Sequence, residues 1–125
     1  MSSSDVLARH QAERLRKLLE WREYAPLVAE AVKEVLGGAE VYVFGSAAEG
    51  RLTASSDIDI AVVVDEVPRS AFERARIVLE IVERAEKRGL PNDYPLEIHL
   101  MTRREMRQLQ AKYIKIEAAQ AINSS

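Results

Sequence analysis

The sequence contains no cysteine, and this absence excludes several kinds of chemistry. Its 125 residues can form no disulfide, thiolate nucleophile or cysteine-ligated zinc site. Only two histidines, His10 and His99, are present, so imidazole chemistry has few places to occur. Carboxylates that bind hard divalent metals remain the open route to a charged active site.

Long apolar runs and an excess of basic residues are also missing. No stretch approaches the roughly 20 apolar residues that span a bilayer. The first residues lack the basic-then-apolar layout of a secretory signal, so we expect a cytoplasmic protein without a membrane segment. The 18 basic and 20 acidic side chains give a net charge of −2, which disfavours general binding to duplex DNA.

Hydrophobic periodicity divides the chain into helices and strands. Apolar residues at three-and-four spacing predict a helix to about Glu23 and a second from about Ala25 to Leu36, because Pro26 is best tolerated in a first turn. The same spacing predicts helices over Arg69–Arg88 and from Arg103 to about Ile122. Runs rich in β-branched residues predict strands at Glu40–Phe44, Asp57–Val64 and Leu96–Met101.

The length fits a single domain over residues 1–125. This domain would comprise a helical N-terminal segment (5–36), a catalytic core (40–101) and a C-terminal helix (103–122). The order of helices and strands predicts an α/β (α+β) fold, in which a small mixed β-sheet is flanked by helices.

Two aspartates open the most strand-like segment of the chain. In Asp57-Ile58-Asp59 the strand period of two places both carboxylates on one face. Like charges so close repel each other unless a cation neutralises them, so the pair indicates a bound divalent metal, with Mg²⁺ the first choice. A solvent-facing strand edge is the simpler interpretation of such a pair taken alone.

Two further segments favour the metal interpretation. Gly45-Ser46 follows a predicted strand at a turn where backbone N–H groups and the serine hydroxyl could hold a phosphate. The third strand carries Glu97 on the face opposite its apolar neighbours, where a third carboxylate would complete a triad. His99 lies on the same face and either lines this site or bonds locally.

Together these residues resemble the DNA polymerase β-like nucleotidyltransferase superfamily, and especially its minimal nucleotidyltransferases. The shared pattern is a hydrophobic residue before Gly45-Ser46, a short helix, the pair Asp57 and Asp59, and the later acid Glu97. The resemblance implies a polymerase β-like fold and a nucleoside triphosphate donor, of which ATP is the first choice. It also implies that Asp57, Asp59 and Glu97 are catalytic and hold two Mg²⁺ ions, and that Gly45 and Ser46 bind the nucleotide.

The sequence departs from this family's pattern at the phosphate turn. Relatives often carry arginines where this chain has Ala47 and Glu49, which puts phosphate affinity in question. Arg51 could bind the nucleotide in their place, or it could be an ordinary exposed loop arginine.

The resemblance also suggests a partner. So short a chain leaves little material for an acceptor-binding domain, and similar minimal nucleotidyltransferases in prokaryotes pair with a HEPN-domain toxin as its antitoxin. The first hypothesis is therefore an enzyme that adenylylates a tyrosine of a HEPN partner. The alternatives are a catalytically silent binding antitoxin and a small-molecule, antibiotic-type nucleotidyltransferase, and a homo-oligomer stays open.

Overall fold

A four-stranded mixed sheet with helices packed against it forms the part of the chain that the computed structural model describes, residues 2–118. The elements in chain order are α1 (Ser3–Leu19), α2 (Trp21–Leu36), β1 (Glu40–Phe44), α3 (Gly45–Ala48), β2 (Ile58–Val63), α4 (Ala71–Lys87), β3 (Leu96–Met101), α5 (Arg103–Gln108) and β4 (Ile114–Ile116). The predicted fold class, a small mixed sheet flanked by helices, is confirmed.

The strand order in the sheet is β3-β2-β1-β4. β1 pairs antiparallel with both β2 and β4, whereas β2 and β3 run parallel. Parallel neighbours need a crossover connection, and α4 supplies it between β2 and β3. As a result β2 lies inside the sheet, with the acidic ends of β2 and β3 side by side.

The two faces of the sheet have different surroundings. Val43, Ile60 and Val62 are completely buried on one face, in the same core cluster as residues of α2 and α4. Burying each such side chain contributes about 1.5–3 kcal/mol. Strand alternation sends Tyr42 and Ala61 to the opposite face, where a smaller cluster includes Met106 of α5. This second face carries the predicted catalytic side chains.

The junction of the first two helices differs from the prediction. α1 ends at Leu19, and α2 begins at Trp21 instead of near Ala25, so Pro26 lies within α2. The buried side chains of Trp21 and Ala25 continue the apolar face of α2 towards its start. Burial of this face therefore extends the helix by one turn beyond the position that Pro26 alone favours.

The predicted C-terminal helix over 103–122 is wrong for most of its length. The helix ends at Gln108, and Gln110 adopts a left-handed conformation with φ 48°, which stops it. The chain then forms β4, in which Ile114 and Ile116 pack against the main core. Pairing with the free edge of β1 satisfies backbone groups on both strands. Residues 119–122 of the predicted helix lie outside the described residues.

Within residues 2–118, no helix combines the length and apolar character needed to cross a membrane.

Candidate active site

Strand register brings two of the predicted acids together. Asp59 on β2 is the direct partner of Glu97 on the parallel strand β3, and His99 is the partner of Ala61 one step further along. Side chains at paired positions of adjacent strands point to the same face. Asp59 is partly buried and Glu97 is exposed, so the pair is open to solvent on one side.

Asp57 lies just before β2 and has a partner on a distant helix. The Arg14 guanidinium donates a hydrogen bond from Nη2 to Oδ1 of Asp57 at 3.2 Å, and from Nη1 to the carbonyl oxygens of Ala54 and Ser56. Arg14 belongs to α1 and therefore joins this helix to the loop that carries Asp57. One cation thus faces one of the predicted catalytic carboxylates.

His99 faces the other two carboxylates. Its Nε2 lies 3.3 Å from Oδ1 of Asp59 and 3.7 Å from Oε1 of Glu97. The imidazole also packs against the Phe44 ring, with centroids 5.2 Å apart, and Phe44 in turn contacts Tyr113. The Tyr113 hydroxyl donates a hydrogen bond to the Met106 carbonyl, which fixes the position of this ring. Burial raises the pKa of the same hydroxyl.

Gly45 brings the main chain directly against Asp59. It has φ +70°, and a Cβ at this position would overlap Oδ2 of Asp59. Only glycine permits both the left-handed conformation and this approach. The turn after β1 and the carboxylate on β2 are therefore fitted to one another.

The turn continues into α3, which starts at Gly45 and contains Ser46. The N-cap residue Phe44 provides no side-chain hydrogen bond to the first turn of α3. The first N–H groups of a helix have no partner within the helix, and an anion is one group that can bind them. This is the place of the predicted phosphate turn.

Arg51 forms an ion pair with its neighbour Glu49, at 2.9 Å between Nη2 and Oε2. Its side chain is 71% exposed. In this arrangement the guanidinium is held by Glu49, one of the two positions where relatives often have arginine, and a role for Arg51 in nucleotide binding stays a prediction.

The donor atoms that converge here fit a divalent cation. One ligand atom each from Asp59, Glu97 and His99 lie within 4.8 Å of one another. Carboxylate oxygens suit Mg²⁺ and Mn²⁺, and an imidazole nitrogen suits transition metals. Asp57, just before β2, lies outside this group of three, and its carboxylate pairs with Arg14.

The site lies on an open edge of the sheet. A groove of about 520 Å³ elsewhere on the surface is lined by Glu34 of α2, by Arg88, and by Arg84 and other charged residues of α4. Ion pairs between these helices explain its lining, since Arg84 contacts Glu34 at 3.2 Å. None of the predicted site residues lines that groove.

The contact of Arg14 with Asp57 was not predicted from the sequence. Arg14 is separated from Asp57 by 43 positions and is one of several basic residues along α1. No local pattern distinguishes it from Arg16, because only the packing of α1 against the loop decides which arginine reaches the carboxylate. For His99, the sequence predicts only that it shares a strand face with Glu97, and its contact with Asp59 depends on the pairing of β2 with β3.

Comparison with known proteins adds an independent finding. A sequence model of the nucleotidyltransferase domain matches residues 26–121, which is most of the chain. No curated protein sequence matches significantly. A proposed nucleotidyltransferase from Sulfolobus solfataricus, known from a crystal structure, shares the fold with a TM-score of 0.50 and 22% identity over 85% of each chain. The chain therefore belongs to the nucleotidyltransferase domain family, within the DNA polymerase β-like nucleotidyltransferase superfamily.

Proposed function

We propose that this protein transfers AMP from ATP to a hydroxyl group of a partner protein. The observation that carries the proposal is the convergence of Asp59, Glu97 and the Gly45 turn at one end of the sheet. A phosphate-binding turn against a carboxylate pair is the arrangement that phosphoryl transfer needs, because catalysis rests on positioning and charge neutralisation.

Each residue has a distinct role in this proposal. The backbone N–H groups of Gly45 and Ser46, together with the Ser46 hydroxyl, would hold the triphosphate oxygens. Asp57, Asp59 and Glu97 would hold two Mg²⁺ ions, with Arg51 available as a further phosphate ligand. When bound, these ions would neutralise the triphosphate and lower the pKa of the acceptor hydroxyl.

The reaction balances without a covalent enzyme intermediate. The acceptor oxygen forms a bond to the α-phosphorus of ATP, and the bond from that phosphorus to the bridging oxygen breaks. Pyrophosphate leaves, and Glu97 would accept the proton of the acceptor hydroxyl. This scheme needs no thiol or imidazole nucleophile, in keeping with the absence of cysteine.

A tyrosine of a HEPN-type toxin is our choice of acceptor. The open edge supports a macromolecular acceptor, because Glu97 is exposed and the described residues 2–118 leave little beyond the sheet and its helices to enclose a small one. The toxin pairing itself comes from the resemblance to minimal nucleotidyltransferases. The protein would then act as an antitoxin in the cytoplasm.

A catalytically silent binding antitoxin is the second candidate. It is favoured by Ala47 and Glu49 at the positions of the usual arginines, and by the ion pair that holds Arg51 on Glu49. Weak phosphate binding would leave a protein that silences its partner by contact alone.

Intact-mass spectrometry of the partner tests these alternatives directly. The toxin is incubated with ATP, Mg²⁺ and either the wild type or Glu97→Gln. We expect an increase of one AMP with the wild type only. A tight complex without any added mass supports the silent antitoxin, and modification of a small molecule without a protein partner supports an antibiotic-type transferase.

A further inference from the structure

His99 is the least explained residue of the site. Its Nε2 lies within 3.7 Å of carboxylate oxygens from both Asp59 and Glu97. The proposed phosphoryl transfer does not use this imidazole. An imidazole between two acids can be a hydrogen-bond donor to them or a third ligand to the ion that they bind.

The position of the ring is fixed by the fold. β3 pairs with β2 so that His99 follows Glu97 by one strand period on the same face. The Phe44 ring packs on the imidazole, with an angle of 61° between the planes, and restricts its rotation. The side chain is nevertheless 36% exposed, so an ion can approach Nε2 without rearrangement of the core.

We infer that the divalent ion bound by Asp59 and Glu97 is also bound by Nε2 of His99, and that this position therefore prefers Mn²⁺ to Mg²⁺. The inference rests on the proposed function and specifies the metal chemistry of the same site. Ligand atoms from all three residues lie within 4.8 Å of one another, so small rotations of the side chains would bring all three onto a single ion.

The preference follows from the donor set. Mg²⁺ is a hard cation that takes oxygen ligands and retains water. Mn²⁺ also takes carboxylate oxygen, but it belongs to the first-row transition metals, whose affinity for a site rises when nitrogen joins the oxygen ligands. The His99 ring would carry its proton on Nδ1 and present the Nε2 lone pair to the ion. Loss of an outer partner of a metal ligand costs about 10–100-fold in affinity, so loss of a direct ligand should cost at least about tenfold.

Pulsed electron paramagnetic resonance of bound Mn²⁺ tests the inference. Spin-echo modulation from a directly bound imidazole nitrogen is the readout, with inorganic triphosphate as the phosphate component because it contains no nitrogen. His10→Ala is the matched control, since His10 is exposed on α1 and its removal leaves His99 as the sole imidazole. His99→Gln and His99→Asn remove the nitrogen ligand, and circular dichroism verifies their fold.

We expect nitrogen modulation in the wild type and in His10→Ala, and none in His99→Gln or His99→Asn. Competition titrations should show an Mn²⁺ preference over Mg²⁺ that falls by about tenfold in the His99 variants. Mn²⁺ bound without nitrogen modulation in His10→Ala would overturn the inference and leave the proposed function standing. Absence of any Mn²⁺ binding that depends on Asp59, tested with Asp59→Asn, would overturn both.

Discussion

Among single residues of the site, Gly45 is the one at which a substitution meets two separate obstacles, one in the backbone and one in space. Its left-handed conformation costs any other residue about 1–2 kcal/mol. A side chain would in addition overlap the Asp59 carboxylate. The two effects can be separated, because Gly50 has the same φ of +70° but open space around the position of a Cβ.

Gly45→Ala should therefore impair metal binding, whereas Gly50→Ala should only reduce stability. Both changes should lower the free energy of unfolding by about 1–2 kcal/mol through backbone strain. Only Gly45→Ala should also displace Asp59 and weaken Mn²⁺ binding, measured by calorimetry on each variant. Equal metal affinities in the two variants would mean that the Gly45 turn does not position this carboxylate.

Arg14 offers a second test at this scale. Arg14→Ala removes hydrogen bonds to the Ala54 and Ser56 carbonyls and the ion pair with Asp57. Because the pair is substantially exposed, we expect a loss of only about 1 kcal/mol in unfolding free energy. The clearer effect should be faster amide hydrogen exchange in residues 53–57, measured by mass spectrometry.

Arg16→Ala is the matched control for Arg14→Ala. Arg16 is an exposed arginine on the same helix, so its removal should leave exchange in residues 53–57 unchanged. Arg14→Lys should restore only part of the protection, because one ammonium group cannot reproduce the planar fork of a guanidinium. Unchanged exchange in Arg14→Ala would show that the loop is held by its own turn.

The acids of the site could be predicted from the sequence, whereas Arg14 could not. Asp57, Asp59 and Glu97 stand out because strand alternation places charged groups beside buried ones in a regular pattern. Arg14 does not stand out, because its role depends on where α1 lies relative to a loop far along the chain. A pattern reports which face a residue occupies, whereas tertiary packing decides what that face meets.

At the scale of elements, the C-terminal segment is the clearest difference between sequence and structure. The predicted bounds of β1 and β3 match the observed ones, and those of β2 and α4 agree within two residues at each end. β4 could not be predicted in the same way, since three residues give too short a pattern. The free edge of β1 supplies the pairing that makes this segment a strand.

Tyr94 joins the loop before β3 to α1. Its hydroxyl donates a hydrogen bond to the Lys17 carbonyl at 2.7 Å, and its ring contacts Tyr24 with centroids 4.9 Å apart. Burial raises the pKa of Tyr94 well above its usual value, and the nearby Tyr24 and Glu20 raise it further. In the unfolded chain the hydroxyl returns to a pKa of about 10.

This difference in pKa predicts an alkaline loss of stability. As the pH rises, the unfolded chain releases the Tyr94 proton at a lower pH than the folded chain does. The contribution of this pKa difference to the free energy of unfolding is therefore fully present below about pH 10 and declines as the pH rises beyond it. Tyr94→Phe should lose about 0.5–1.5 kcal/mol at neutral pH and show a shallower alkaline decline. Urea unfolding of the wild type and the variant, at neutral pH and above about pH 10, measures the loss of stability and the alkaline decline. Parallel declines in wild type and variant would refute the assignment to Tyr94.

Considered as one unit, the fold separates the two faces of the sheet: one packs in the main core, and the other carries the acidic side chains of the site. α2 and α4 bury the face of the sheet that carries Ile60 and Val62, and the acids lie on the other face, which only the smaller cluster with Met106 covers in part. The single-domain organisation that we propose fits this arrangement, because α1 reaches the Asp57 loop instead of forming a separate unit. The fold thus places Asp59 and Glu97 on the side of the sheet opposite α2 and α4.

Binding of a metal–nucleotide complex by these carboxylates is the property on which the proposed function depends. It can be measured by calorimetric titration of Mg²⁺ with a non-hydrolysable ATP analogue, into the wild type and into the Asp57→Asn, Asp59→Asn double variant. We predict saturable binding by the wild type and none by the double variant, with circular dichroism and Tm showing that both are folded. Equal binding by a folded double variant would contradict the account.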